Sequence, residues 1–330
     1  MKNIDYINKN LIVILVTLIL LIILILLYRL YMLHDSKLLE SFESFESSNE
    51  PNKIAFLFLT YNNLKRPDIW NKFFDIEKNN NDSNNDSNTF ASSKYSNKFT
   101  IYNHAKEPEN VTDILLKDKQ IPEHIETCWG CFGTVEANIL MMKEALKEPL
   151  NTKFILVSDS CIPIVSFDKF YNEIMKDDKS RINIFYNQPQ RYYDIINPPF
   201  SKDKFIKNAA QGLIFNRYHA ELLVNSLLQY KNDWQNMGCV DEHYFGNILR
   251  ILDTNFELNN ENIKNTFDVW NVNELNTKQN NENEITFNDN QYALINYISN
   301  KTIDELRYKK FLLARKVDDN TGTDIEYITK

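Results

Sequence analysis

The chain opens on an apolar run that nothing later in it matches. From Leu11 to Leu27 every residue except Thr17 is a large aliphatic, and Tyr28–Leu33 continues the run with Arg29 as its one charge. An α-helix needs about 20 apolar residues to cross the hydrocarbon core. Residues 11–33 are therefore expected to form a transmembrane signal anchor, with Tyr28, Arg29 and Tyr31 at the interface. A cleaved signal peptide would have a shorter apolar region followed by small residues, and no Ala-x-Ala pattern follows here. Residues 1–10 become a cytosolic tail. Residues 34–52, polar, acidic and partly repetitive (SFESFESS), cannot bury a core and read as a stem.

Folded structure is expected to begin abruptly at residue 53. Lys53–Thr60 (KIAFLFLT) is nearly all apolar, as in a strand buried on both faces. Pro67 to Glu77 suits a helix with proline in its first turn, and Asn79–Asn88 is a loop. Phe99–His104 is a second strand. Val135, Ile139, Met142 and Leu146 recur at helical spacing, which predicts a helix from Thr134 to Lys147 with Thr134 as N-cap. A strand over Lys153–Val157, a helix after Ser166, strands over Ile182–Tyr186 and Gly212–Phe215, and a helix from Tyr218 to Tyr230 follow. Asn259–Asn290 is Asn-rich with isolated apolar patches, and Ile303–Val317 reads as helical and then extended. Strands alternating with helices imply an α/β domain with a mostly parallel sheet, here one domain over residues 53–330.

Charge narrows the partners. A net charge of -8 over 330 residues argues against a protein that coats nucleic acid, which needs an excess of Lys and Arg. Around the apolar run the count is close to balanced: Lys2 and Lys9 precede it, Arg29 and Lys37 follow. The size of the C-terminal part sets the expectation of a cytosolic N-terminus, a single-pass type II arrangement.

Three stretches carry a specific resemblance. Phe154–Ile164 (FILVSDSCIPI), Lys207–Arg217 (KNAAQGLIFNR) and Val240–Tyr244 (VDEHY) are similar, in that order, to motifs of the core-2/I-branching N-acetylglucosaminyltransferase family, its plant-type members above all. KIAFLFLT, IYNHA at Ile101–Ala105 and WGCFGTVEA from Trp129 add weaker matches, so the likeness runs from Lys53 to Lys316. It implies a GT-A-like glycosyltransferase fold, and an inverting transfer of a sugar, N-acetylglucosamine in the family, from a UDP-sugar to a glycan or glycoprotein acceptor. It also implies a lumenal catalytic domain in the Golgi or endoplasmic reticulum. A xylosyltransferase, which shares the fold and motifs, and a non-catalytic lectin-like domain are the rival readings.

Such a transfer needs a base for the acceptor hydroxyl and positive charge for the departing diphosphate. Spacing alone would make Asp241 and Glu242 a capping pair, with Asp241 as N-cap of a helix through Phe245, Ile248 and Leu249. The resemblance makes Glu242 the catalytic base. Many GT-A enzymes hold a metal with Asp-x-Asp; the matching strand end here, Val157–Ser160, has Asp159 alone. The resemblance puts Lys316 of FLLARKV, with Arg315, on the diphosphate, and so implies no metal cofactor. His104 and Asp159 complete the donor-side candidates; Lys207, Gln211 and Asp241 are the acceptor-side or loop candidates. The chain departs from the family where animal members have His-x-Asp (here His104-Ala105-Lys106), where they carry a second diphosphate-binding Arg, and at Gly212, where plant members have Trp.

Cys128-Trp-Gly-Cys131 could be half a zinc site, but Cys161 and Cys239 are distant in sequence and no His pair completes it. One or two disulfides are expected instead. Asn81, Asn85, Asn110 and Asn300 each start an Asn-x-Ser/Thr sequon. His219, within a helix, is expected to be structural.

Overall fold

The computed structural model of the chain describes residues 50–76, 93–186, 189–198, 201–268, 285–288 and 294–330. The expected anchor, nearly all of the expected stem, and sequons Asn81 and Asn85 lie outside the described residues. No described helix is long and apolar enough to cross a membrane.

Pro51–Lys330 fold as one unit around a four-stranded sheet in the order β2-β1-β3-β7. β1 (Lys53–Thr60) lies parallel to β2 (Phe99–Ala105) and to β3 (Asn151–Ser158). The short β7 (Ile214–Asn216) runs antiparallel to β3. Side chains alternate across a strand, and in β1 and β3 both sets are buried. Ala55, Leu57, Phe154 and Leu156 join one core cluster, while Ile54, Phe56, Phe58, Ile155 and Val157 join another. That double burial is why these strands read as continuous apolar runs.

Helices supply the other half of each cluster. α1 (Pro67–Phe73) and α3 (Phe167–Met175) bring Trp70, Phe73 and Phe170 to the face that carries Phe56. Phe56 meets Phe74 edge to face at 4.9 Å, an arrangement aromatic rings favour. On the other face, α2 (Phe132–Ala145), α4 (Arg217–Trp234) and α5 (Tyr244–Leu252) pack Val135, Leu223 and Ile248 against β1 and β3.

Smaller strands then fold back toward the carboxyl ends of β1 and β3. β4 (Ile162–Pro163) directly follows β3; β5 (Ile184–Phe185) pairs antiparallel with β6 (Lys207–Asn208). β8 (Thr266–Asp268) lies parallel to β11 (Leu313–Arg315), and β11 lies antiparallel to β4. β9 (Ile285–Asn288), β10 (Leu294–Ile298) and β12 (Val317–Gly322) form the remaining sheet. The short helix α6 (Phe256–Asn259) follows α5. α7 (Asn300–Tyr308) and α8 (Ile325–Ile328) cover the third apolar cluster, with Ile303, Leu306 and Ile328.

Two expected helix starts are corrected. α2 begins at Phe132 with Cys131 in the cap position, and Thr134 sits inside the first turn, its Oγ1 donating to the Cys131 carbonyl at 2.8 Å. Asp241 and Glu242 belong to a single 3-10 turn, Val240–Glu242. The α-helix starts only at Tyr244, so Asp241 caps nothing. His219 is structural, as expected: wholly buried, it joins Ser180 Oγ at 2.6 Å and Asp253 Oδ2 at 3.0 Å.

Candidate active site

Ligands of open α/β sheets bind beyond the carboxyl ends of the parallel strands, and the described chain has a cleft of about 700 Å³ there. Leu59, near the end of β1, lies in its wall. Around it stand Trp129 and Gly130 before α2, Lys207 of β6, Gln211, Asp241 and Glu242 of the 3-10 turn, Thr266 and Asp268 of β8, and Arg315 and Lys316 at the end of β11. Of the residues singled out in the sequence, Glu242, Asp241, Lys207, Gln211, Arg315 and Lys316 thus meet in one cavity.

The turn that carries Glu242 is held from below. Cys239 takes a left-handed conformation, with φ 52°, and reverses the chain ahead of the turn. His243 Nδ1 lies 3.3 Å from the Cys239 carbonyl, and the His243 ring stacks on Phe205 at 5.2 Å. Burial pushes the His243 pKa down to about 4, so at neutral pH this imidazole is uncharged, and its Nδ1–H donates to that carbonyl. Asn208 Nδ2 donates to the Asp241 carbonyl at 2.9 Å. The histidine of VDEHY is therefore a prop for the turn.

The Glu242 carboxylate meets Lys207 Nζ at 2.9 Å, both side chains being about one-third exposed. At Asp241 beside it, burial, and then the Glu242 charge, push the pKa up to about 6.

Across the cleft Arg315 and Asp268 are opposed across strands β11 and β8, and their side chains pair at 3.2 Å. The buried Nε of Arg315 has no hydrogen-bond partner among the described residues. Burial, and then the adjacent Arg315 charge, hold the Lys316 pKa below the ordinary lysine value. The chain behind this pair is anchored to the loop after β3: Val317 N–H donates to the Ser160 carbonyl at 2.9 Å, and Ile164 N–H to the Leu312 carbonyl at 3.0 Å. A half-buried, locally positive edge of this kind suits an anion.

Two candidates do not line the cleft. Asp159 stands close enough to the cationic edge for its charge to act on Lys316, and that of Arg315 on it. Its Oδ2 accepts the Tyr61 N–H at 3.1 Å, joining the ends of β3 and β1, and burial raises its pKa despite that bond, Lys65 and Arg315. His104 is 1% exposed; its Nε2 accepts the Ile125 N–H at 3.2 Å, and its ring stacks on His124 at 4.9 Å. Burial, and then His124, keep it neutral by lowering its pKa. It joins β2 to the segment before α2 and does not line the cleft.

The sequence did not single out Asp268 or Trp129 as site residues. Asp268 sits inside an isolated apolar patch, Phe267–Trp270, of an Asn-rich stretch for which the sequence predicts no strand. Cys128 and Cys131 form a disulfide, and Cys161 and Cys239 are free thiols, so Trp129 rides in a two-residue loop closed by a covalent bond.

Comparison with known proteins shows the family. The chain is similar to the glycosyltransferase BC10 of Oryza sativa subsp. japonica, with 24% identity over 227 residues. The match covers 60% of this chain and 53% of the rice protein, so the chain spans about half the length of that relative. The model of the Core-2/I-Branching enzyme matches residues 81–294, a span that holds β2, β3, the Glu242 turn and β8, and the chain belongs to that family.

Proposed function

We propose that the chain is a glycosyltransferase that moves a sugar, N-acetylglucosamine in the family's pattern, with inversion from a UDP-sugar to a glycan or glycoprotein acceptor. One observation carries the reading: a carboxylate, Glu242, and a half-buried cationic edge, Arg315–Lys316, face a common cleft at the carboxyl ends of parallel strands. Glu242 takes the proton of the acceptor hydroxyl as that oxygen attacks the anomeric carbon. The bond from the anomeric carbon to the diphosphate breaks, and Arg315 and Lys316 meet the charge that develops on the UDP oxygen. Lys207 holds the carboxylate in place until the acceptor arrives. The reading assigns the diphosphate charge to Arg315 and Lys316 rather than to a metal, because the strand end carries the single carboxylate Asp159 where a metal-binding Asp-x-Asp would have two. With the apolar run of residues 11–33, the same reading places the enzyme in the Golgi or endoplasmic reticulum membrane, its catalytic domain in the lumen.

The test is release of UDP from a panel of UDP-sugars, run alongside their effect on melting temperature. A ligand at 100 times its Kd adds about 2.7 kcal/mol to stability. UDP-N-acetylglucosamine should both stabilise the protein and be slowly hydrolysed. Stabilisation without UDP release would favour a lectin-like domain, and a preference for UDP-xylose would favour xylosyl transfer.

A further inference from the structure

Trp129 is 80% exposed, whereas Trp70 and Trp234 are completely buried. An indole held in water at the lip of a cleft gives up the stabilisation that burial would bring, and this one is built to stay there. The Cys128–Cys131 disulfide closes the loop that carries it. Gly130 has φ +66°, and a Cβ on it would stand 3.0 Å from the Cys239 backbone nitrogen, so only glycine lets the loop lie so close to Cys239. Val240 N–H donates to the Gly130 carbonyl at 3.3 Å. The loop is thereby fastened to the same turn that presents Glu242.

The same cleft has polar wall residues. Thr134 and Asn138, one helical turn apart on α2, line it together with Trp129. Asn138 is 1% exposed, yet its Oδ1 has no hydrogen-bond partner among the described residues. A buried amide oxygen without a partner is costly, and a ligand that donates to it recovers that cost. An aromatic face beside buried polar groups matches the two-sided surface of a pyranose ring, which has C–H groups on a face and hydroxyls at its rim.

We propose that Trp129, with Asn138 of the same cleft wall, forms the subsite for the acceptor sugar, the indole stacking on the C–H face of a hexopyranoside whose hydroxyl points to Glu242. The proposal rests on the glycosyl-transfer reading, and it makes the Cys128–Cys131 loop a determinant of acceptor choice. Arg315 and Lys316 remain at the donor end of the cleft.

The experiment is saturation-transfer NMR on the full chain with the methyl β-glycosides of galactose, glucose, N-acetylgalactosamine and N-acetylglucosamine. It compares the parent protein with Trp129→Ala, Trp129→Phe and the remote surface variant Tyr308→Ala. At least one glycoside should show saturation concentrated on its ring C–H protons in the parent and in Tyr308→Ala. That signal should fall at least tenfold in Trp129→Ala and recover in part in Trp129→Phe. A UDP-induced rise in melting temperature in each variant confirms that the fold and the donor site persist. The proposal is overturned if no glycoside binds the parent, or if binding survives unchanged in Trp129→Ala. Loss of the UDP response in the parent itself would instead remove the glycosyltransferase reading.

Discussion

Lys207 Nζ and the Glu242 carboxylate, from β6 and from the 3-10 turn, close on each other at 2.9 Å across the cleft wall. A partly exposed ion pair contributes little to stability, typically 0–1 kcal/mol, so its value lies in orientation. Lys207→Met should lower kcat more than melting temperature, and Lys207→Arg should restore part of the loss. Equal melting temperatures and equal kcat across the three proteins would show that the pair has no part in turnover.

Glu242→Gln keeps the size of the side chain and removes its ability to take a proton. Turnover should fall by about 10²–10⁴-fold, while the UDP-induced shift in melting temperature stays close to that of the parent. Asp241→Asn should cost far less activity. If Glu242→Gln transfers sugar at the parent rate, the base lies elsewhere.

If Lys316 meets the diphosphate as proposed, Lys316→Ala should weaken UDP binding and turnover together. Activity should survive EDTA. If EDTA abolishes activity and manganese restores it, a metal carries the charge assigned here to Arg315 and Lys316.

The two perturbed groups of the turn give opposite pH slopes. Asp241 holds its proton up to about pH 6 in the fold but only to about 3.9 in an unfolded chain. The folded state therefore binds more protons between these values, and ionising Asp241 removes stability as pH rises through that window. A shift of this size corresponds to roughly 1–3 kcal/mol. Asp241→Asn should thus raise the melting temperature at pH 7.5 and change it little at pH 4. His243, neutral in the fold down to about pH 4, contributes stability above about 6.5 that is lost as pH falls toward 4. His243→Phe should flatten that acid-side loss.

Gly212 has φ +71°, and a Cβ there would lie 1.8 Å from Thr266 Oγ1. Gly212→Ala should destabilise by more than about 1 kcal/mol through backbone strain alone and reduce activity, because it pushes on β8 and so on the Asp268 partner of Arg315. Removing Thr266 Oγ1 as well, with Gly212→Ala/Thr266→Ala, should recover part of the activity and leave the strain. Full activity in Gly212→Ala would show that β8 does not position the cationic edge.

What could be read from sequence follows from how local each cause is. β1 and β3 were legible because burial on two faces writes an apolar run into consecutive residues. The ends of elements were not. Thr134 looked like an N-cap, but the Cys128–Cys131 closure brings the start of α2 forward to Phe132. Gly212–Phe215 read as a strand, but positive φ at Gly212 delays β7 to Ile214. In the site, the motif around Glu242 and the Arg315–Lys316 pair were found through resemblance and are brought together. His104 and Asp159 had the right residue type in the right strand, but their polar atoms serve the backbone of neighbouring segments. Asp268 had no signal of its own, since its importance comes from β11, which lies far along the chain.

The pairing of β11 with β4 has a consequence for how the protein is made. A ribosome delivers the central sheet first and then the Glu242 turn. It delivers the strand that sets Arg315 and Lys316 beside the loop after β3 only about 70 residues later. Contacts so distant in sequence are slow to form. A nascent chain not yet extended to β11 would therefore hold the Glu242 turn without the two cations that share its cleft.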